Sequence, residues 1–235
     1  MRRTAFVLWL SLLALPATAA APVDAFTLKF NTLRNGSALG STVMQFKQPR
    51  AGVWQFSSTV NGTEGLAGLA GAGVNETSTL TAPGGQLTLF GNALETRLAW
   101  KTSVKTTALL KGGKAYQYTD GKTVRLADYA PQTLDRHSLT VALVSDLRAG
   151  LGPEFTYRAL AKGRAETFRF RVTGEERLNT ALGVLDTVRV ERIRESSDGK
   201  RTRIWFAKSR GYLPVLIQEL DRDGDDIEMR IAAIR

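Results

Sequence analysis

His137 is the only histidine in the sequence, and its neighbours make it the first candidate for catalysis. Asp135 stands two positions before it and Ser138 directly after it, so the residue types of a hydrolase triad occur together. Neighbours in the first turn of a helix do not face one another as a nucleophile, a base and an orienting acid must. The sequence also lacks the Gly-x-Ser-x-Gly elbow. We therefore expect no triad and no catalytic residue here, and we expect a surface position for His137.

Two groups of acidic residues are candidates for catalysis or metal binding. Glu175 and Glu176 are adjacent, so in a strand they point to opposite faces and cannot flank one glycosidic bond. The run from Asp221 to Glu228 offers carboxylates that suit calcium, but Ala232 stands where the last ligand of such a loop belongs. We expect turns at both places. With one histidine and no cysteine, the sequence predicts no metal site, no cofactor and no disulfide.

A glycine- and alanine-rich loop extends from Gly62 to Gly73. A phosphate cradle would need a parallel strand before this loop and a helix after it, but an alternating strand from Val74 to Thr81 follows. We expect a mobile flap instead, with Leu66 and Leu69 at its tip.

Residues 1–19 have the three parts of a secretory signal. Arg2 and Arg3 give the charged start, an apolar run extends from Ala5 to Leu15, and Ala17-Thr18-Ala19 is a small-residue cleavage site. We expect cleavage after Ala19, which leaves residues 20–235 as one exported domain in the periplasm. No later stretch reaches about 18 consecutive apolar residues, so no transmembrane segment is expected after cleavage.

Positive charge is concentrated in one part of the chain. The whole chain has a net charge of +10, and the segment from Arg158 to Arg210 holds 14 basic and 7 acidic residues. Such a segment attracts anionic partners, for example phospholipid headgroups. Alternatively, its arginines pair with Glu166, Glu191 and Glu195 across strands. Its aromatic residues fall mostly on the faces opposite the arginines, so a nucleic-acid partner is not expected.

Alternation of apolar and polar residues dominates the chain from Phe26 onward. Between Thr167 and Val172, apolar residues alternate with threonine or arginine, which is typical of a half-buried antiparallel strand. The alternation from Leu94 to Val104 has no fault and predicts the longest strand, with Trp100 on its apolar face. Glycine-containing turns separate about a dozen such strands.

One segment has helical rather than two-residue periodicity. From Asp135 to Arg148, an apolar stripe recurs at helical spacing, and Asp135 is placed to cap its start. The stripe consists of Leu139, Ala142, Leu143 and Leu147. We predict an all-β fold: a single large, strongly curved antiparallel sheet or open β-barrel, with this α-helix covering its concave side.

Several blocks of residues resemble the bacterial exported proteins of the family called domain of unknown function 3108. They are the early hairpin (Phe30 to Gly40), the helix (Ser138 to Arg148), Gly174-Glu175-Glu176 with Leu178, Thr180 and Gly183, then Asp186-Thr187 with Val190, and finally Trp205 with Tyr212-Leu213-Pro214-Val215. The resemblance implies a periplasmic protein with no established activity. It also implies a curved sheet with a covering helix, similar to the lipoprotein carriers of the envelope.

Three hypotheses about function follow. The first is non-enzymatic binding of a lipid or other apolar, anionic envelope ligand in the concavity, with an anionic headgroup drawn to the basic segment. Its expected lining residues are Trp100, Leu139, Leu143, Phe168 and Phe170. The second is an interaction module that docks on an envelope protein through Arg169, Arg171, Arg189 and Arg203. The third is a cell-wall or glycan enzyme, which would require Glu76, Glu95 and Glu175 to converge in a cleft.

Overall fold

The computed structural model describes residues 23–62, 72–194 and 199–235. The predicted signal segment at 1–19, the central part of the glycine-rich loop with Leu66 and Leu69, and the serine-containing turn at 196–198 lie outside the described residues. No helix within the described ranges is both long and apolar enough to cross a membrane.

A single sheet of 15 strands contains most of the described residues. Its first eight strands are β1 (Phe26–Arg34), β2 (Ser37–Arg50), β3 (Val53–Gly62), β4 (Gly73–Thr81), β5 (Thr88–Leu98), β6 (Lys101–Leu109), β7 (Ala115–Asp120) and β8 (Thr123–Asp128). The others are β9 (Leu134–Asp135), β10 (Glu154–Ala161), β11 (Arg164–Thr180), β12 (Gly183–Ile193), β13 (Arg201–Ala207), β14 (Leu213–Leu220) and β15 (Asp226–Ile234). One α-helix, α1 (Leu139–Arg148), and the 3-10 turns Pro83–Gly85 and Lys208–Arg210 complete the described secondary structure. The predicted all-β class with one helix is confirmed.

The strand order describes an open sheet with two edges. β1 pairs with both β2 and β15, so the first and last strands lie side by side, and β8 and β9 form the two edges. Within the described sheet, neighbours are antiparallel except β9 and β10, which are parallel. Each edge contacts the opposite half of the sheet: Arg125 on β8 donates to the carbonyl of Lys162, between β10 and β11, at 2.8 Å, and the amide of Leu89 on β5 donates to the carbonyl of Thr133, just before β9, at 2.8 Å. The result is a strongly curved, open sheet.

Burial along the concave face changes from one end of the sheet to the other. At one end, inward side chains such as Leu28, Phe46 and Leu80 are 0% exposed. Toward the end that carries the β1–β2, β5–β6 and β14–β15 turns, inward residues such as Val60 and Leu94 are only half-buried. We call this second end the open end.

Helix α1 lies inside the curved sheet rather than over a flat one. Its buried residues are Leu139, Val141, Ala142, Leu143, Val144 and Leu147. These residues cover more than the predicted stripe, because the curved sheet contacts the helix on more than one side, including β10 and β14. The helix begins at Leu139, later than predicted. Asp135 belongs to β9, and its carboxylate accepts a hydrogen bond from the amide of Ser138 at 2.7 Å.

The predicted uninterrupted strand from Leu94 to Val104 is wrong. The chain turns at Ala99 and Trp100, so the segment is divided between β5 and β6, and Ala99 adopts a φ of 49°. Because the chain reverses here, Val104 pairs with Glu95 and not with a residue of the Leu94 face. The alternating polarity continues through a two-residue turn that has no glycine, proline or asparagine to mark it.

The longest described strand is β11, with 17 residues. The sequence predicts a turn at Glu175 and Glu176, but both lie within this strand, after a register shift between Val172 and Gly174. Such an extra residue bends a strand without ending it. The two glutamates pair with successive residues of β12, so they point to opposite faces, as predicted.

Replacement of Leu143 by alanine tests the packing of the helix. Leu143 is 0% exposed, so we expect Leu143→Ala to lower the free energy of unfolding by about 2–5 kcal/mol. Leu126 is 64% exposed, and Leu126→Ala should change the free energy of unfolding by no more than about 0.5 kcal/mol. Equilibrium denaturation of both variants makes the comparison. Equal effects would contradict a helix packed inside the sheet.

Candidate functional site

The loop between β9 and α1 brings His137 to two serines of the sheet. Its Nε2 lies 2.7 Å from Ser58 Oγ on β3, and its Nδ1 lies 2.8 Å from Ser78 Oγ on β4. The ring also stacks on Phe56 with centroids 4.4 Å apart. The predicted surface position is therefore wrong: His137 is partly buried, because the chain between β9 and the enclosed helix crosses the concave face.

Asp135 fixes the direction of the hydrogen bonds around His137. Its carboxylate, 5% exposed, accepts from Ser78 Oγ at 2.6 Å and from both the amide and Oγ of Ser138, at 2.7 and 2.5 Å. Ser78 has only one hydroxyl proton, so it accepts from Nδ1 of His137. Neutral His137 then carries its proton on Nδ1, and Nε2 accepts from Ser58. We call these five residues the His137 network.

Further polar contacts extend from this network toward the open end. Asn92 on β5 donates through Nδ2 to Glu76 Oε1 at 3.0 Å and approaches Ser78 Oγ at 3.4 Å. Asn92 and Glu76 are half-buried, whereas Ser78 is 0% exposed. The polar residues thus lead from the half-exposed open end to the enclosed Asp135.

Burial lowers the pKa of His137, because the charged imidazolium loses its hydration. The carboxylates of Glu76 and Asp135 act in the opposite direction, and burial outweighs them. His137 is therefore a neutral base at pH 7.

The acids of the glycan-enzyme hypothesis do not converge. Glu76 pairs with Leu94, so the next residue, Glu95, points to the other face of the sheet. Glu175 lies on β11 and forms an ion pair with Lys208.

A cleft of about 320 Å³ opens near the β9 edge, between the 3-10 turn at Pro83–Gly85, helix α1 and strand β10. We call it the rim cleft. Its apolar side chains include Leu87, Leu134 and Leu151, and its charged or hydroxyl-bearing ones include Asp146, Tyr157 and Arg158.

The rim cleft contains one basic and one acidic side chain in different settings. Arg158 donates to Thr133 Oγ1 at 2.8 Å and to the carbonyl of Asp128 at 3.2 Å, and neither acceptor carries a charge. Tyr157 donates its hydroxyl to Asp146 Oδ2 at 2.6 Å. Burial raises the pKa of Asp146, although the bond from Tyr157 opposes the shift. Burial is the main cause that raises the pKa of Tyr157, and its hydrogen bond to Asp146 raises this pKa further.

The predicted lining residues divide into two groups. Leu139, Leu143, Phe168 and Phe170 point inward and are 3%, 0%, 2% and 5% exposed, within the hydrophobic core. Their contact with a ligand stays a prediction. Trp100 is 97% exposed, so its predicted place in the concavity is wrong; it stands in the β5–β6 turn instead of on a strand face. None of the five borders the rim cleft.

The predicted basic face carries ion pairs. Arg171 bonds Glu154 at 2.8 Å, Arg189 bonds Glu176 at 3.2 Å, and Arg203 bonds Glu191 at 2.7 Å. Arg169 lies on the same face, paired in register with Thr156. The cross-strand pairing considered as an alternative therefore occurs at Glu191. Docking of an anionic partner on this face stays a prediction.

The sequence analysis did not identify several polar residues on the inward face of the sheet. The alternation of inward and outward residues along each strand could have located them. Ser58 shares a face with Trp54 and Phe56, and a serine on an otherwise apolar face needs a buried partner. Arg192 shares a face with Val190, and its guanidinium carbon lies 4.1 Å from the ring centroid of Phe168.

The pH dependence of stability tests the setting of His137. Its pKa in the folded protein is lowered from about 6.5, so the unfolded state binds the proton more tightly. The stabilising contribution is therefore complete above pH 6.5 and is lost as the pH falls below it, by at most about 1.4 kcal/mol per pH unit. Denaturation between pH 7 and 5 should show this slope in the wild type and not in His137→Gln. Equal slopes would contradict the assignment.

Among the residues that the structure describes, no group of three or more histidine, aspartate or glutamate side chains is arranged to hold a metal ion.

Comparison with solved structures gives one match that supports the fold. A β-barrel-like protein of the domain of unknown function DUF1849 from Brucella abortus has a TM-score of 0.55 at 10% identity, covering 92% of this chain and 98% of its own. The MucA/MucB complex of Pseudomonas aeruginosa has a TM-score of 0.28 at 14% identity, and the match covers 90% of this chain and 51% of the other. A domain provisionally described as an outer membrane lipoprotein-sorting protein from Vibrio parahaemolyticus has a TM-score of 0.24 at 12% identity. The match covers 90% of this chain and 84% of the other. The first likeness shows the fold alone, and the other two carry no argument.

No curated protein matches the sequence. A family profile does match, over residues 25–232, which is nearly the whole chain. The chain therefore belongs to the family described as "Protein of unknown function (DUF3108)".

Proposed function

We propose that the rim cleft of this protein is a non-enzymatic binding site for a ligand of the bacterial envelope, and that this ligand is a small amphiphile with an anionic group. The ligand occupies the rim cleft. Arg158 contacts the anionic group, and the leucines of the cleft contact the apolar part. The observation that carries the proposal is a cleft of ligand size that combines apolar walls with an arginine whose hydrogen-bond acceptors are uncharged.

The size of the cleft limits the ligand. A volume of about 320 Å³ lies at the lower end of the usual range for small-molecule sites, about 300–1,000 Å³. It accommodates a headgroup and a short chain or the end of a longer chain. The hydrophobic core beside the cleft is already filled by α1, which supports a site at the rim rather than among Phe168 and Phe170.

The two charges of the cleft give a ligand a defined orientation. Arg158 contacts neutral oxygens, so its positive charge is not matched by an acidic hydrogen-bond partner. Carboxylate and phosphate groups form strong charge-assisted hydrogen bonds with arginine. Asp146 repels the same groups, and its hydrogen bond with Tyr157 holds it in place. An anionic headgroup therefore lies toward Arg158.

The envelope location rests on the sequence. The pattern of residues 1–19 is that of a secretory signal. The apolar part of the ligand then comes from the lipids of the envelope.

Opposite charge changes in the cleft test this function. Dodecyl phosphate, below its micelle-forming concentration, serves as the probe in titration calorimetry, with dodecanol as the neutral comparison. We expect Arg158→Gln to weaken binding of dodecyl phosphate by about tenfold. Asp146→Asn should strengthen it, because the change removes the negative charge that repels the phosphate.

The control is Arg171→Gln, which removes an arginine from the outer face of the sheet and should leave binding unchanged. Absence of binding by the wild type, or equal affinities for the wild type and Arg158→Gln, would refute the proposal.

A further inference from the structure

Ser58 has the surroundings of an activated serine. It is 8% exposed on the inward face of β3, and its hydroxyl lies 2.7 Å from His137 Nε2. The bonds from Ser78 to Asp135 and from His137 to Ser78 leave Nε2 as an acceptor for the proton of Ser58. A serine that donates to a histidine held by a carboxylate is the arrangement that nucleophilic catalysis uses. Here Ser78 stands between the histidine and the carboxylate.

Ser58 also lies at the inner limit of the open end. On the same strand, Val60 is the next inward residue toward that end, and it is half-buried. Glu76, the partner of Ser58 on β4, is half-buried as well, whereas Ser78 is 0% exposed. A molecule that enters through the open end therefore meets Ser58 before it meets the enclosed part of the network.

We infer that Ser58 is a nucleophile and His137 its general base, in a second site that cleaves carboxylic esters. This site is separate from the rim cleft and independent of ligand binding there. Ser78 and Asp135 are positioning residues, because they orient His137 and do not face the open end.

The reaction proceeds in two balanced steps. Ser58 Oγ forms a bond to the ester carbonyl carbon while its proton passes to His137 Nε2, and the carbon–oxygen bond to the alcohol breaks as the alcohol takes that proton. Water then attacks the acyl-serine and gives its proton to His137. The acid leaves, and the proton returns to Ser58. The neutral state of His137 at pH 7 suits it to accept the first proton.

The inward residues around Ser58 indicate the class of ester. Val60 on β3, Val74 on β4 and Leu94 on β5 are half-buried on the inward face, as the strand pairing shows. Their apolar side chains suit an acyl chain. The nearby Asn92 donates to Glu76 at 3.0 Å and to Ser78 at 3.4 Å.

Diisopropyl fluorophosphate tests the inference on the full chain. Ser58 Oγ replaces fluoride on phosphorus, and the serine proton leaves through His137. We expect one adduct per chain, mapped to Ser58 by peptide mass spectrometry. Ser58→Ala should abolish it, and His137→Gln should slow it by about a hundredfold or more. Ser103→Ala, a change at another inward serine of the open end, should leave the rate unchanged.

Two further measurements separate catalysis from a structural role. The labelling rate of the wild type should rise as His137 loses its proton, and Ser78→Ala should shift that profile along the pH axis. Ser58→Cys should react with iodoacetamide faster when His137 is present than in the double variant with His137→Gln, which keeps the test decisive even if Ser58→Ala does not fold. A wild type without an adduct at Ser58, or equal rates with and without His137, would overturn the inference. Neither result bears on the rim cleft.

Discussion

The carboxylate of Asp135 is the group around which the interior is arranged. A carboxylate that is 5% exposed is tolerated only when its oxygens receive hydrogen bonds, and here Ser78 and Ser138 supply them. Ser78 belongs to β4, whereas Ser138 is the last residue before α1. The same carboxylate therefore joins the wall of the sheet to the start of the helix. His137 adds a second connection, to Ser58 on β3.

This connection decides what space remains for function. Because the helix starts from a fixed point inside the sheet, its apolar residues fill the concavity in which the sequence analysis predicted a ligand. Two regions outside the filled core remain as candidates. The rim cleft lies beside the helix and has apolar walls with Arg158 and Asp146, whereas the open end leads to the serine–histidine pair. The outer arginines at 171, 189 and 203 make ion pairs with glutamates of the sheet, which weakens the case for that face as the main binding surface.

Much of the fold follows from the two-residue alternation of apolar and polar residues in the sequence, and most of the site does not. Alternation places Phe168 and Phe170 inside and Arg171 outside, and helical spacing finds the buried face of α1. The same alternation fails at Trp100, because Ala99 adopts a positive φ in a turn without the usual turn residues. The meeting of Ser58, Ser78 and His137 depends on the path of the chain across the sheet, which local patterns do not contain. The serine between Phe56 and Val60 on an apolar face was the available signal.

Amide hydrogen exchange under native conditions measures most directly whether the carboxylate of Asp135 holds the helix inside the sheet. In the wild type, the amides of Leu143 and Val144 should exchange as slowly as those of the central strands β1 and β2, because all of them exchange only through global unfolding. In Ser78→Ala, which leaves one oxygen of Asp135 without its donor, exchange in α1 should become faster than in β1 and β2. Rapid exchange of the helix in the wild type, or an unchanged difference between helix and strands in the variant, would contradict this account.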